Sequence, residues 1–139
     1  MTFLVDTFVI SELRKGNRAN RGVRQWMRDS GDSLFLSVLV VGELRRGITQ
    51  VARRDPGAAH HLTLWLEGII DRYAARILPV TLEIAQVWGG LGVPDPVPAV
   101  DGLLAATALV HDLTLVTRNV SDVESTGVPL LDPFQWAGT

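Results

Sequence analysis

The sequence lacks several features that would assign it to large protein classes. It has no cysteine among its 139 residues, which excludes disulfides, thiolate metal sites and a catalytic thiol. It also has no basic, apolar leader at its start, and no apolar run approaches the ~20 residues that span a bilayer. We therefore expect a cytoplasmic protein with no membrane partner.

The net charge is small, but the charges are unevenly distributed. The formal charge is -2, yet ten of the thirteen basic residues lie in residues 1–54. All but Lys15 of the thirteen are arginine, whose planar group grips phosphate in a bidentate way. A basic N-terminal segment of this kind favours binding to nucleic acid, but solvated helix faces and a coding bias towards arginine would give the same count.

Short apolar runs alternate with segments of helical periodicity. The runs predict strands at 3–5, 34–36, 76–80, 113–117 and 129–131. Such strands do not alternate in polarity, which is typical of a parallel sheet covered on both faces. The sequence therefore predicts a single domain over 1–139, of α/β class, with helices on both sides of a central parallel sheet of about 4–5 strands.

Breaks and caps give the expected helix limits. Ser37 is predicted to cap a long helix, and the turn Ser30-Gly31-Asp32 to close the helix before it. Gly89 and Gly90 are expected to end another helix and lead into a proline-rich loop at 93–98. After this loop, Asp101 is expected to open an Ala- and Leu-rich helix that ends near His111.

Four oxygen-bearing side chains fall where a site is expected. Asp6 follows the first strand, Asn119 follows the strand at 113–117, Asp101 opens the helix before that strand, and Glu43 lies in the helix after Ser37. In open α/β sheets, ligands bind at the carboxyl ends of the strands. Converging carboxylates repel one another unless a cation joins them, and Mg²⁺ and Mn²⁺ prefer oxygen ligands.

Each of these residues also has a purely structural interpretation. Asp6 and Asp101 are common helix-capping residues, and Glu43 at this spacing can pair with Arg46. Asn119 and Asp122 are common in turns. The spacing alone leaves both interpretations open.

Four sequence motifs, taken together, resemble the VapC and FitB-like branch of the PIN-domain family. They are FLVDT at 3–7, VGELRRG at 41–47, DGLLAATA at 101–108 and LVTRN at 115–119. The resemblance implies an endoribonuclease that requires Mg²⁺ or Mn²⁺ and acts as the toxin of a type II toxin–antitoxin pair. It also implies a VapB-like antitoxin as partner and a homodimer.

The same resemblance assigns roles to individual residues. Asp6, Glu43 and Asp101 match the metal-binding, catalytic acids, and Asn119 occupies the fourth catalytic position. Thr7 matches a hydroxyl residue that helps to hold the substrate or the cluster. For the RNA phosphates, the predicted contacts are three arginines: Arg45, Arg46 and Arg118.

Phe8 departs from the motif, which most often has Asn after Asp-Thr. A phenyl ring cannot hydrogen-bond toward the site, so we expect lower metal affinity or turnover than in a Phe8→Asn variant. Base stacking by tryptophan is less expected, because Trp26, Trp65 and Trp88 fall at the helical spacing of core residues and Trp136 lies in the tail.

Two other functions remain open at this point. Phe8 and the amide of Asn119 are compatible with a catalytically weakened PIN-domain protein that mainly binds RNA or a partner. A phosphatase or a DNA-directed nuclease would use similar metal chemistry. The sequence has neither GxxxxGK[ST] nor GxGxxG, which disfavours nucleotide binding of those kinds.

Overall fold

The computed structural model describes residues 1–31 and 33–138 of the chain. The strands are β1 (Phe3–Val5), β2 (Leu34–Ser37), β3 (Ile77–Leu78), β4 (Thr114–Val116) and β5 (Leu130–Leu131). The helices are α1 (Thr7–Leu13), α2 (Arg21–Ser30), α3 (Val38–Ala52), α4 (Pro56–Tyr73), α5 (Leu82–Leu91), α6 (Ala99–His111) and α7 (Val120–Val123).

The five strands form one parallel sheet in the order β3-β2-β1-β4-β5. Phe3 pairs with Leu34 on one side and with Thr114 on the other, so β1 is central. Helices flank the sheet, with α1, α2, α3 and α4 packing among themselves and α5, α6 and α7 forming a second group. The predicted α/β class and strand number are confirmed.

The core follows from the apolar strands. Leu4, Val5, Leu34 and Leu36 are fully buried, because parallel strands between two helical layers expose neither face. Trp26 of α2 is also fully buried and packs edge-to-face on Phe3, with ring centroids 5.5 Å apart. These contacts fix the strands, and therefore the loops that follow them.

The tryptophans divide between core and surface. Trp26 and the half-buried Trp65 pack with the core, as predicted. Trp88 is 41% exposed, so the prediction that it is a core residue is wrong. It lies in the last turns of α5, close to Gly102 at the start of α6.

Several predicted helix limits shift by a few residues. The cap at Ser37 is confirmed, because its Oγ accepts a hydrogen bond from the Leu39 amide at 3.0 Å. Gly89 and Gly90 are helical, since α5 continues to Leu91, and the prediction that they end the helix is wrong. The turn predicted at Ser30-Gly31-Asp32 lies partly outside the described residues, because it includes residue 32.

The start of α6 also differs from the expectation. Pro98 is its N-cap residue, and Asp101 lies inside the first turn rather than at the cap. The proline ring has the φ that a helix start requires, so the helix begins earlier than the acidic residue suggested. Asp101 therefore does not cap α6.

The C-terminal segment is held against α2. A 3-10 turn at Pro133–Gln135 packs on Gly22, where an added Cβ would lie 2.6 Å from the Pro133 carbonyl oxygen. Only glycine allows this close approach. In addition, Trp136 Nε1 donates to Asp29 Oδ2 at 3.0 Å. No described helix is both long and apolar enough to cross a membrane.

Candidate functional site

The candidate site lies where the order of the strands reverses. Chain order runs outward from β1 through β2 to β3 on one side, and from β4 to β5 on the other. The loops after β1 and β4 therefore leave the sheet in different directions and open a crevice at their carboxyl ends. Asp6 follows β1 and Thr117 follows β4, which places both at this crevice.

Asp6 is the most buried charged residue of the site, at 4% exposure. Its Oδ1 accepts a hydrogen bond from the Val9 amide at 3.1 Å, which caps α1. Its Oδ2 accepts from the Thr117 hydroxyl at 2.5 Å. Asp6 is thus a helix cap and a member of the site at the same time, so the two sequence interpretations are compatible.

Glu43 extends from the second turn of α3 and is held by Thr7. The Thr7 hydroxyl donates to Glu43 Oε1 at 2.5 Å and joins α1 to α3. Within the described part of the chain, Glu43 forms no ion pair with Arg46. The interpretation of Glu43 as half of a surface ion pair is therefore not supported.

Asp101 and Asn119 complete the predicted set. Asp101 is half-buried in the first turn of α6. Asn119 is the N-cap residue of α7, and its backbone amide donates to the Thr117 hydroxyl oxygen at 3.0 Å. The Thr117 side chain therefore connects Asn119 to Asp6.

These side chains meet in one cleft of about 350 Å³. Six of the eight predicted site residues line it: Asp6, Thr7, Glu43, Arg46, Asp101 and Asn119. The lining also includes Phe8, which was predicted to affect the acids, and three residues with no predicted role: Gly47, Gln50 and Leu104. The convergence of three acids from separate helices and loops is therefore a property of the fold.

Two predicted arginines lie elsewhere. Arg45 and Arg118 are not among the described residues that line the cleft. Arg45 is exposed on α3. The Arg118 guanidinium carbon lies 4.6 Å from the centroid of the Phe134 ring, in cation–π contact with the C-terminal segment.

The electrostatics of the cleft disfavour bare carboxylates. Burial raises the pKa of Asp6 from 3.8 to about 6, and the nearby charges of Asp101 and Glu43 add to the rise. Its hydrogen bonds from Thr117 and Val9 act in the opposite direction and only partly offset it. Burial also raises the pKa of Asp101, and the negative charges of Asp122 and Glu43 raise it further. A bound cation would remove this penalty.

The donor set suits a hard divalent cation. Among the described residues, no three His, Cys, Asp or Glu side chains converge closely enough to enclose a metal ion by themselves. Mg²⁺ does not require such a cage, since it typically binds through one or two carboxylates and keeps several waters. The carboxylate oxygens of Asp6, Glu43 and Asp101 are the ligands that such an ion prefers. Its positive charge would offset the burial and the mutual repulsion that raise the pKa of Asp6 and of Asp101.

The sequence interpretation missed two residues of this neighbourhood. Thr117 lies within the motif at 115–119, but no role was predicted for it, and Asp122 was predicted only to form a turn. Asp122 lies in α7, where its charge is the largest electrostatic contribution to the raised pKa of Asp101. The available signal was the spacing of Asp122, three residues after Asn119, which puts both on one helical turn.

Comparisons with known proteins agree with this architecture. The family model described as PIN domain matches residues 3–121. VapC ribonuclease Y4jK of Sinorhizobium fredii is 30% identical, over 95% of this chain and 97% of the relative. Toxin FitB of Neisseria gonorrhoeae is 30% identical, over 94% and 97%. A solved structure of FitAB bound to an IR36 DNA fragment superposes with a TM-score of 0.87 at 26% identity, and 99% of each chain is covered.

Proposed function

The chain belongs to the PIN domain family, and on that premise we propose that it is a single-domain endoribonuclease that hydrolyses RNA phosphodiester bonds. It acts as the toxin of a type II, VapBC-like toxin–antitoxin pair. Full-length similarity to a protein named VapC ribonuclease and to one named toxin FitB supports both parts of this proposal.

One observation carries the proposal. Asp6, Glu43 and Asp101 come from three separate parts of the chain and line one cleft at the carboxyl end of the sheet. If the three carboxylates had only structural roles, each would need only water or an oppositely charged partner, and they would not need to share a cleft. Their shared cleft and the raised pKa values of Asp6 and Asp101 are instead typical of a functional site.

The three carboxylates would hold Mg²⁺ or Mn²⁺ as cofactor, with Asn119 as the fourth polar group and Asp122 beside Asp101. When bound, the ion would supply positive charge that could neutralise the phosphodiester and lower the pKa of a water molecule. Thr117 orients Asp6, and Thr7 orients Glu43, through the hydrogen bonds described above.

The substrate is held mainly from the α3 side of the cleft. Arg46 lines the cleft, which supports a contact between its side chain and an RNA phosphate next to the cleaved bond. Arg45 and Arg118 lie outside the cleft, so any contact they make is with phosphates farther along the strand. Because such contacts release counterions, binding weakens with added salt.

The proposal also includes partners. A VapB-like antitoxin would block the cleft, and the toxin would form a homodimer. The similarity to a FitAB assembly bound to DNA supports a partner of this kind. The antitoxin is tested by co-expression with any small reading frame found next to this gene, followed by co-purification. Sedimentation of the isolated chain tests the dimer.

The enzymatic proposal is tested by cleavage of end-labelled, structured RNAs and of DNAs of the same sequence, with Mg²⁺, with Mn²⁺ and with EDTA. We expect metal-dependent RNA cleavage that the Asp6→Asn variant loses. Asp55→Asn is the matched control, because Asp55 also caps a helix, by accepting from the Ala58 amide at 3.0 Å, but is exposed and lies just before α4. RNA binding without cleavage would favour the weakened, binding-module alternative, and cleavage of DNA alone would contradict the assignment.

A further inference from the structure

Phe8 is the large apolar side chain that the fold leaves exposed beside the acids. It lies in the first turn of α1, 60% of its surface is exposed, and it lines the cleft with its neighbours Asp6 and Thr7. An exposed phenyl ring is unfavourable in water, so a ring kept at the mouth of a site suggests a contact with a ligand.

The cleft also contains one face of α3. Glu43, Arg46, Gly47 and Gln50 all line it, at positions i, i+3, i+4 and i+7 of the helix. Gly47 leaves a gap in this face, because an added Cβ there would meet no described atom within 4 Å apart from its chain neighbours and the nearby backbone of α3. The side chains of Arg46 and Gln50 are exposed, and neither makes a hydrogen bond or an ion pair with any described residue. Both groups are therefore available to a ligand.

We propose that Phe8 and the α3 face at Arg46, Gly47 and Gln50 form a subsite for one unpaired nucleotide of an RNA strand, adjacent to the bond that the acids act on. The base stacks on the Phe8 ring, Arg46 contacts a phosphate, and Gln50 reaches the edge of the base. This inference rests on the proposed function, and it specifies which part of the RNA binds in the cleft.

The chemistry favours an unpaired nucleotide over a duplex. In a helix both faces of a base are covered by its neighbours, whereas an unstacked base offers a free face to an aromatic side chain. An amide side chain can donate to and accept from a base edge. No tryptophan is among the described residues that line the cleft, so Phe8 is the aromatic group placed for this role.

The proposed subsite and simple crowding of Asp6 predict different kinetic effects when Phe8 is replaced. If the ring only crowds the acids, replacing it raises kcat or metal affinity. If the ring stacks a base, replacing it raises KM and leaves metal affinity unchanged. The Phe8→Asn and Phe8→Leu variants therefore distinguish the two effects by the kinetic constant that changes.

The binding test uses the Asp6→Asn background, in which RNA is not cleaved. Fluorescence anisotropy measures Kd for octaadenylate and octauridylate, each single-stranded and paired with its complement. We expect Phe8→Leu to raise Kd for the single strands by about 5- to 100-fold, the range that one base–aromatic stack supplies. Phe8→Tyr should keep Kd within about 3-fold, because it keeps the ring. Leu64→Ala, at another exposed apolar residue, on α4, should leave Kd unchanged.

A second arm moves one abasic residue along octaadenylate. We expect one position at which loss of the base weakens binding to the parent protein but not to the Phe8→Leu variant, since both changes remove the same contact. An unchanged Kd in Phe8→Leu, an equal loss on duplexes, or additive losses at every position would overturn the subsite. Failure of the cleavage assay with these binding results intact would overturn the enzymatic proposal alone.

Discussion

The Thr117 hydroxyl donates a hydrogen bond to Asp6 Oδ2 at 2.5 Å, across 111 residues of sequence. The same hydroxyl oxygen accepts from the Asn119 amide at 3.0 Å. One side chain therefore ties the end of β4 to the end of β1 and fixes the orientation of the most buried acid of the cleft. This bond also lowers the pKa of Asp6, against the effect of burial.

The first prediction concerns this bond. A Thr117→Val substitution keeps the shape of the side chain and removes the hydroxyl, so the pKa of Asp6 should rise further above about 6. Hydrogen bonds to charged groups contribute about 1.5–3 kcal/mol, which corresponds to at least about one pH unit. We expect the acid limb of the pH profile of RNA cleavage to move up by about one unit, measured as kcat/KM from about pH 5 to 9.

Thr107→Val is the control for this variant. Thr107 is also fully buried, but its hydroxyl donates to the Leu103 carbonyl within α6. Its loss should leave the pH profile in place. An unshifted profile in Thr117→Val would contradict the role of Thr117 in positioning Asp6.

The second prediction is that Asp6→Asn stabilises the protein while it abolishes cleavage. The folded pKa of Asp6, about 6, lies above the value of 3.8 for a free side chain, so the folded state binds the proton more tightly. The contribution of Asp6 to folding stability is therefore greatest below about pH 4, and it decreases as the pH rises to about 6. The loss amounts to about 3 kcal/mol at pH 7, and the neutral amide avoids it.

Urea unfolding in EDTA at several pH values measures this effect. We expect the variant and the parent to be similarly stable near pH 4 and to diverge between about pH 4 and 6, with the variant more stable above. Added Mg²⁺ should stabilise only the parent, because the ion binds the folded, ionised site. A variant that is less stable than the parent at pH 7 in EDTA would contradict the account.

The third prediction concerns Asp122. Its charge raises the pKa of Asp101, so the two carboxylates interact electrostatically, although Asp122 is not among the described residues that line the cleft. Asp122→Asn should raise the Mg²⁺ concentration for half-maximal cleavage by about 10- to 100-fold, the usual effect of losing a group that supports metal ligands. Glu124→Gln, at an exposed acid directly after α7, is the matched control and should have no effect. Equal effects in both variants would show that only the net charge of the protein matters, and would contradict a specific role for Asp122.

The fourth prediction separates two adjacent arginines. Arg46 lines the cleft, whereas Arg45 does not. Arg46→Gln should weaken binding to single-stranded RNA and reduce the slope of log Kd against log salt by about 0.7–1, as expected for the loss of one phosphate contact. Arg45→Gln should have a smaller effect. Equal effects would show that the RNA also follows the outer face of α3.

Local rules were sufficient for much of the fold. The apolar runs predicted all five strands, although β3, β4 and β5 are shorter than the predicted ranges 76–80, 113–117 and 129–131. The caps at Ser37 and Asp6 follow from side-chain chemistry within three residues. The predicted start of α6 and the predicted end of α5 were wrong by a few residues. Pro98 precedes the first residue of α6, and α5 continues through the exposed Gly89 and Gly90 to Leu91, which packs against the core.

The sequence by itself determined which residues form strands and helices and which acids stand at their junctions, because those properties depend on neighbours a few positions away. Only the tertiary structure decided that β4 lies beside β1, so that Thr117 reaches Asp6, and that Arg46 rather than Arg45 faces the cleft. Successive helical residues point about 100° apart, and the direction that becomes the cleft is set by long-range packing of α3 against its neighbours.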